Sequence, residues 1–211
     1  TDPVTTELCG TINDKPIVSM NSMFQNSKAT SIDVSSFDTS KVTSMFSMFY
    51  YSAATEIKGL ENFNTSKVTN MRYMFHFSKA TSLDLSSFNT SKVTSMSGMF
   101  YSSAAISLDL SNFNTSKVTS MNSMFYESAA TEIKGLENFN TSEVTNMGYM
   151  FYDSKATTLD LSSFDTSNVT DMNMMFTRAK ATTGYARSQE DADRFNASSY
   201  KPSELTFVVK S

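Results

Sequence analysis

Apolar residues recur at a fixed interval along almost the whole chain. The pattern Met-x-x-Met-Phe occurs seven times, and the Phe residues that end it lie 25, 26, 25, 25, 26 and 25 residues apart. These residues are Phe24, Phe49, Phe75, Phe100, Phe125, Phe151 and Phe176. A fixed period in this range is typical of a solenoid, in which each coil buries its apolar face only against its neighbours. We therefore expect one elongated array.

Each repeat combines two kinds of apolar spacing. In the unit 80–105, Leu83 and Leu85 alternate with polar residues, which predicts a short half-buried strand over 82–86. Phe88 follows, and the Asn-Thr-Ser sequence after it favours a turn. The next apolar residues are spaced by three, three and one, and they are Val93, Met96, Met99 and Phe100. This spacing predicts a short helix or 3₁₀ segment, with Met filling a narrow core between two columns of Phe rings.

The pattern therefore predicts an α/β solenoid of seven strand-plus-helix coils, with an all-β right-handed solenoid as the alternative. We assign residues 1–16 to an N-terminal cap, 17–181 to the solenoid and 182–211 to a C-terminal cap. Within the last segment, Ser188 with Asp191 three residues later resembles a capping box and predicts a short helix to about Ala197. Leu205 to Val209 predict a closing strand.

Two of the repeats carry one extra residue. Their sequences are Ile57-Lys58-Gly59-Leu60 and Ile133-Lys134-Gly135-Leu136. Gly tolerates a positive φ, so an inserted Gly predicts a bulge in the strand. Residues 53–66 are identical to residues 129–142, which indicates that three repeats were duplicated as a block.

Composition excludes several classes of function. The net charge is -4, the pI is about 5.0 and only 18% of residues are charged, so there is no electrostatic footprint for nucleic acid. Cys9 is the only cysteine, which rules out an internal disulfide and a cysteine metal cluster. No stretch approaches the roughly 18 consecutive apolar residues of a membrane span. Carboxylates stand in repeated columns rather than in one convergent cluster, so we expect no catalytic residues, no metal and no cofactor.

The repeat sequence resembles a known family. The segment Leu83-Asp-Leu-Ser-Ser-Phe-Asn-Thr-Ser-Lys-Val-Thr-Ser-Met-Ser-Gly-Met-Phe100 is similar to the bacterial surface-protein repeats of period near 25 called DUF285 or BspA-like. The resemblance covers roughly 17–181, and the segment from Gly184 to Asn196 resembles the one that closes such arrays. It implies a variant leucine-rich-repeat fold in a secreted or cell-surface bacterial protein, commonly discussed as an adhesin. The family shares no catalytic residues, so no functional residue is carried over.

Two columns of equivalent residues are candidate ligand-binding surfaces. The strand column consists of Asp33, Lys58, Asp84, Asp109, Lys134 and Asp160. The aromatic column consists of Tyr50, His76, Tyr101, Tyr126 and Tyr152. The first could equally be a charge-balanced, solvated strip. The second could stack on sugar rings or bury against a protein partner, or its rings could simply stack on each other.

Other columns are weaker candidates. A lysine column of Lys41, Lys67, Lys92 and Lys117 continues as Glu143 and Asn168, and it could meet an anionic glycan or be a solvated turn. The Thr-Ser columns indicate turn hydrogen bonds, although a regular Thr array also raises the idea of ice binding. Phe46, Tyr51 and Phe77 break the repeat pattern close together.

These observations favour a non-enzymatic module of a bacterial cell-surface protein. We expect adhesion, meaning binding of a host or matrix protein or glycan through an exposed solenoid face, by a monomer that inserts into no membrane. The alternative is a passive structural spacer or stalk within a larger surface protein.

Overall fold

A computed structural model describes residues 15–210 and the backbone of 4–5 and 11–12. The chain is a β-solenoid of about seven turns with very little helix. Its elements are β1 (Val4–Thr5), β2 (Thr11–Ile12), β3 (Lys15–Pro16), β4 (Ser31–Asp33), β5 (Glu56–Lys58), β6 (Ser107–Asp109), β7 (Glu132–Lys134), β8 (Thr158–Leu161), β9 (Thr183–Ala186), α1 (Gln189–Asn196) and β10 (Thr206–Val209). Cys9 and most of the predicted N-terminal cap lie outside the described residues.

Equivalent residues of successive coils pair in parallel. β4 lies between β1 and β5, β6 pairs with β7, and β9 lies between β8 and β10. The register places Ile32 opposite Ile57 and Leu108 opposite Ile133, so each apolar residue meets its counterpart one coil away. A second parallel ladder of single bridges joins Ser19, Ser44, Asn70, Ser95, Ser120, Asn146 and Asp171. The β2 and β3 strands form a separate antiparallel pair.

The helix predicted for each coil is wrong, and the all-β alternative fits the structure. In the second coil, the N–H groups of Met48, Tyr50 and Ser52 donate to carbonyls three residues back, as in successive β-turns. The N–H groups between them, such as those of Ser47 and Phe49, donate instead to carbonyls of the next coil. A helix would keep all these bonds within the segment. The three-residue apolar spacing is therefore produced by a chain of turns. The same turns also carry hydrogen bonds that join neighbouring coils.

These turns need left-handed backbone at two positions in every coil. The first position has φ between 51° and 60° and the second between 46° and 58°. The residues at the first position are Ser22, Ser47, Tyr73, Gly98, Ser123, Tyr149 and Met174, and those at the second are Asn26, Tyr51, Phe77, Ser102, Glu127, Asp153 and Arg178. A positive φ at the third residue of a four-residue turn is the mark of a type II turn. Only Gly98, Asn26 and Asp153 are of residue types that favour it.

The strand predicted over 82–86 is also wrong. This segment pairs with neither β5 nor β6, and Leu83 is only partly buried. The preceding coil is one of the two longer ones. In that coil Gly59, at φ 90°, begins a 3₁₀ turn over Leu60–Asn62, rather than the predicted bulge. The second long coil repeats this at Gly135 and Leu136–Asn138, and there β7 does not pair with β8.

The predicted core of Met and two Phe columns is confirmed. One column runs through all seven motifs, with neighbouring rings such as Phe49 and Phe75 parallel within 2° and 5.5 Å apart. The other includes Phe63, Phe88 and Phe113, whose ring centroids are 6.2 and 6.5 Å apart. The Met side chains of the central coils are wholly buried beside them. Unbranched Met fits this narrow space because it adapts to irregular gaps.

Threonine hydroxyls fix the distance between coils. The Thr90 hydroxyl donates to the Asn114 carbonyl at 3.0 Å and accepts from the Asn114 N–H at 2.8 Å. Thr39 and Thr65 make the same pair of bonds to the coil that follows each of them. These Thr residues are buried, so the Thr-Ser columns offer no regular Thr surface to ice.

The predicted helix and closing strand of the C-terminal segment are confirmed. Ser188 caps α1, and its hydroxyl accepts from the Asp191 N–H at 3.1 Å. The Asp191 carboxylate accepts from both the N–H and the hydroxyl of Thr166, at 3.1 and 2.7 Å. Phe195 and Phe207 cover the ring of Phe176, which ends the long Phe column. The helix thus accepts hydrogen bonds from Thr166 in the place that a further coil would occupy.

Truncation of a central ring should strongly destabilise the array. Phe100 has no exposed surface and stacks on Phe75 and Phe125 at 5.8 Å each. Phe100→Ala should therefore lower the free energy of unfolding by about 3–5 kcal/mol in urea denaturation, from lost burial and a cavity. Ile106→Ala, at a side chain that is 63% exposed, is the control and should cost less than about 0.5 kcal/mol. A loss under about 1 kcal/mol at Phe100 would contradict its place in the core.

Removal of residues 182–211 should cause self-association. The deletion uncovers the Phe176 ring and one edge of β8, and an unpaired strand edge invites pairing with another chain. Light scattering should then show dimers or larger species where the intact chain shows none. A truncated protein that stays monomeric would refute this.

Candidate functional site

The five residues of the aromatic column form one continuous stack along the turn side of the solenoid. The ring centroids of Tyr50 and His76 are 4.6 Å apart, and those of His76 and Tyr101 are 4.3 Å apart. Tyr126 and Tyr152 extend the stack at 4.2 and 4.6 Å, with rings within 8° of parallel. The four Tyr residues are half-buried and His76 is buried. The structure thus brings every predicted member of this column together.

The stacking changes what the column can bind. The ring faces between neighbouring members are occupied by each other, so a sugar cannot stack between them as the sequence allowed. What the column offers to a ligand is its ring edges. Burial, followed by the neighbouring Tyr126, raises the pKa of Tyr101 well above the usual range of a phenol. The Tyr101 hydroxyl therefore remains a neutral donor and acceptor.

Further aromatic residues surround the N-terminal half of the column. We call the connected group of Phe46, Tyr50, Tyr51, Tyr73, His76 and Phe77 the aromatic patch. Tyr51 stacks on Phe77 at 4.4 Å, and Tyr50 lies 4.8 Å from Tyr51. On the other side, Tyr73 meets His76 edge-on at 5.3 Å and Phe46 at 5.9 Å. Tyr51 is the most open member, with 45% of its surface exposed.

Three members of the aromatic patch occupy the left-handed positions of the turns. Tyr51, Tyr73 and Phe77 have φ values of 53°, 57° and 52°. Bulky side chains rarely adopt this conformation, which costs roughly 1–2 kcal/mol per residue. Phe46, Tyr51 and Phe77 were conspicuous in the sequence, but Tyr73 was missed. The signal for Tyr73 was available, because Ser or Gly stands at this position in several other coils.

His76 is held as a neutral imidazole. Its ring lies between Tyr50 and Tyr101, and Nδ1 is buried without a hydrogen-bond partner beside the Gly98 backbone. Burial lowers the pKa of His76 to about 4, although the nearby Gly98 backbone opposes this weakly. Gly98 cannot be larger, because a Cβ there would lie 2.4 Å from the Tyr73 ring. Glycine thus lets Tyr73 lie against the next coil.

A shallow cavity of about 410 Å³ opens at the C-terminal side of the aromatic patch. Its lining residues are Tyr50, Tyr73, His76, Tyr101, Asn122 and Ser123. None of these side chains is charged at neutral pH, and together they present ring edges, hydroxyls and an amide. Such a surface is suited to neutral or aromatic groups of a ligand rather than to an ion.

The strand column is used mainly by the fold itself. The Ser35 and Ser86 hydroxyls and N–H groups donate to Asp33 and Asp84 at 2.5–3.0 Å, which closes a turn in each of these coils. These serine hydrogen bonds hold the pKa of Asp33 and Asp84 below its usual range. Asp109 makes the same N–H bond with Ser111.

The lysines and the last carboxylate of the strand column also have partners within the chain. Lys58 and Lys134 pair with Glu56 and Glu132 at 3.4 and 3.7 Å. Lys210 forms an ion pair with Asp160. Within the described residues, the unpaired segment 82–84 lies between two cavities of about 690 and 490 Å³. Asp84 lines both of these cavities.

Residues 15–210 contain no group of three or more His, Cys, Asp or Glu that could hold a metal ion. No helix among the described residues has the length and apolar character needed to cross a membrane.

The titration of His76 should be visible in the stability of the protein. The unfolded imidazole has a pKa near 6.5 and the folded one near 4. As the pH falls through this window, only the unfolded state takes up the proton, so the free energy of unfolding should fall by roughly 2–3 kcal/mol. Above pH 6.5 the imidazole makes no difference, and carboxylates with lowered pKa values act mainly below the window. Urea denaturation between about pH 7 and 4.5 measures the effect.

The control for this prediction is His76→Tyr, because Tyr fills the same position in the neighbouring coils. The variant should keep the ring stack and lose most of the dependence on pH, since His76 is the only histidine. Equal pH slopes for the two proteins would contradict a neutral, buried His76.

Comparison with known proteins identifies the family. Two overlapping segments, 18–138 and 104–207, match the family model described as "Mycoplasma protein of unknown function, DUF285". No curated protein and no solved structure matches the chain. The two matches span most of the sequence and follow the repeating coils. The chain therefore belongs to the DUF285 family.

Proposed function

We propose that this chain is a non-enzymatic module of a bacterial cell-surface protein, and that it adheres to a host or matrix ligand through the aromatic patch. The observation that carries the proposal is the presence of Tyr51, Tyr73 and Phe77 at left-handed, partly exposed positions. Left-handed residues occur in every coil, but aromatic residues stand at the second turn position only at Tyr51 and Phe77. Unusual residues at strained positions are a basis for inferring function.

The energetics of the Tyr51–Phe77 pair support this reading. A stacked aromatic pair gains about 0.5–1.5 kcal/mol beyond its burial, whereas the left-handed backbone costs about 1–2 kcal/mol at each residue. The equivalent residues in the other coils fold into the same turn, and they are Asn26, Ser102, Glu127, Asp153 and Arg178. The turn therefore forms without aromatic side chains, so the fold itself does not require the Tyr51–Phe77 pair.

The chemistry of the aromatic patch favours a protein ligand. Tyr and Arg are enriched among the residues that dominate binding energy in protein interfaces. Arg72 lies over the Tyr73 ring at 5.4 Å, which adds an exposed guanidinium to the border of the patch. A glycan is the second ligand class, but the stacked column leaves it mostly ring edges.

The absence of an enzymatic role is part of the proposal. The carboxylates of the strand column accept turn hydrogen bonds, and the His76 imidazole is enclosed by Tyr50 and Tyr101. Catalysis would need such groups to converge on a reacting atom. Their use in the fold supports a binding module.

A passive spacer is the second candidate function. The observation that favours it is that most charges of the strand column and most ring faces of the aromatic column are satisfied within the chain. An array of this kind could hold another domain away from the cell without contacting a ligand. The two candidates differ in what happens when the aromatic patch is removed.

The double variant Tyr51→Asn with Phe77→Asn separates binding from stability. Asn tolerates the left-handed backbone and already occupies this position at Asn26, so the free energy of unfolding should stay within about 1 kcal/mol of wild type. Binding to plates coated with basement-membrane matrix, and to fixed epithelial cells, should fall at least about tenfold if these rings anchor the ligand. Ser102→Asn with Glu127→Asn, at the same turn position outside the patch, is the control and should bind normally.

Two further double variants locate the binding face. Tyr101→Ala with Tyr126→Ala tests the rest of the aromatic column, and Asp84→Ala with Asp109→Ala tests the strand column. Loss of binding only in the latter would move the site to the strand face. If all the variants bind like wild type, or if wild type binds neither surface, the spacer takes the place of the binding module.

A further inference from the structure

A ladder of lysines runs along a different segment of the coils from the aromatic patch. The lysine ladder consists of Lys41, Lys67, Lys92 and Lys117, at equivalent positions of four successive coils. All four side chains are exposed, and the residue after each, such as Val68 or Val93, is buried. Coils joined by parallel backbone hydrogen bonds rise about 5 Å each. The ladder is therefore a straight row of positive charges at short, regular spacing.

The ladder is not neutralised within the described part of the chain. The ion pairs found there involve none of the four lysines. Neighbouring residues on this segment are mainly uncharged, including Asn64, Asn89 and Asn114 three positions before the lysines, whereas Asp38 lies near Lys41 alone. Among the described residues, the central rungs thus carry positive charge outside any ion pair, in a chain whose net charge is -4.

The strand column gives an internal comparison. It has the same rise per coil, but there Lys58 lies opposite Asp33 and Lys134 lies opposite Asp109. Like charges are neighbours in this column only at Asp84 and Asp109, where residues 82–86 pair with no strand. Like charges on adjacent strands destabilise a sheet. The same array therefore relieves repulsion on one segment and leaves it in place on another. An anionic ligand would relieve it when bound.

We propose that the lysine ladder binds a linear anionic polysaccharide, with one acidic group of the polymer meeting each ammonium. A pyranose residue is about as long as the rise of one coil, so the charges of such a polymer can follow the row. Exposed threonines beside the lysines, including Thr69 and Thr94, have hydroxyls that donate to the preceding coil and can still accept from sugar hydroxyls. Lysine suits this role because its ammonium is a compact charge on a flexible stem.

The ladder is a poorer match for nucleic acid. Single-stranded nucleic acids are held by a basic groove combined with aromatic side chains on which the bases stack. No aromatic residue lies between Lys67 and Asn70 or at the equivalent positions of the other coils. The positive row is also one residue wide and ends at Glu143 and Asn168. Single-stranded DNA is therefore a test of the assignment, and not its ligand.

Titration with a size-defined heparin oligosaccharide tests the proposal. Wild-type protein should bind it at low salt, and affinity should fall steeply as NaCl is raised, since bound counter-ions are released. Lys67→Gln with Lys92→Gln should weaken binding about tenfold at low salt and reduce the salt slope by about two, one for each lost contact. The control is Lys79→Gln with Lys180→Gln, which makes the same change in net charge at exposed lysines of another column.

A gain of binding provides a readout that misfolding cannot imitate. Glu143→Lys adds a fifth rung at the C-terminal end of the ladder, and it should raise the NaCl concentration at which the protein leaves a heparin column. Without ligand, Lys92→Gln should raise the thermal midpoint at low salt, because repulsion along the ladder decreases.

Three results would overturn the proposal. They are a wild-type protein that ignores heparin at low salt, equal losses in the ladder and control variants, and tighter binding of single-stranded DNA than of heparin. The experiment is independent of the aromatic patch, because Tyr51→Asn with Phe77→Asn should bind heparin like wild type.

Discussion

Every coil of this solenoid depends on how its backbone N–H groups are divided between hydrogen bonds within the coil and hydrogen bonds to the next coil. Along the Met-x-x-Met-Phe turns, alternate N–H groups close a local turn or bond the next coil. This division places the rows of Met and Phe in register and gives the array its rise. It also requires two left-handed residues per coil, and the sequence supplies Gly or Asn at only two of these positions. The hydrogen bonds that join neighbouring coils thus require strained backbone at the left-handed turn residues.

The sequence predicted the array well because its signals are periodic. The seven coils, the buried Phe columns and the elements of α1 and β10 all follow from spacing or capping chemistry. The helix in each coil was wrong because apolar residues three apart face one side in a 3₁₀ helix and in a chain of turns alike. The strand over 82–86 was wrong because pairing depends on the neighbouring coils, which its own alternation of Leu83 and Leu85 does not record.

The candidate site was only partly visible in the sequence. The members of the aromatic column could be named from their period. That neighbouring rings stack and cover each other's faces follows from the short rise between coils, which only the structure shows. Likewise, the charges of the strand column read as an exposed surface, yet Ser35 and Ser86 occupy the carboxylates through bonds two residues away. Tyr73 departs from the Ser or Gly of several equivalent positions, but the space that Gly98 leaves for its ring is visible only in the structure.

The C-terminal cap bonds features that every coil possesses. Asp191 accepts from the Thr166 N–H and hydroxyl, Arg194 donates to the Val169 carbonyl at 3.1 Å, and Phe195 covers Phe176. The same Thr, Val and Phe recur in the earlier coils. The cap therefore contacts groups that any coil would present at the end of the array, and not groups found only in the last coil. Recombination between repeats could therefore add or remove whole coils upstream without redesigning the terminus. The identical segments 53–66 and 129–142 are the expected trace of such a history. In it the length of the array changes with the number of coils, while the same C-terminal cap is kept.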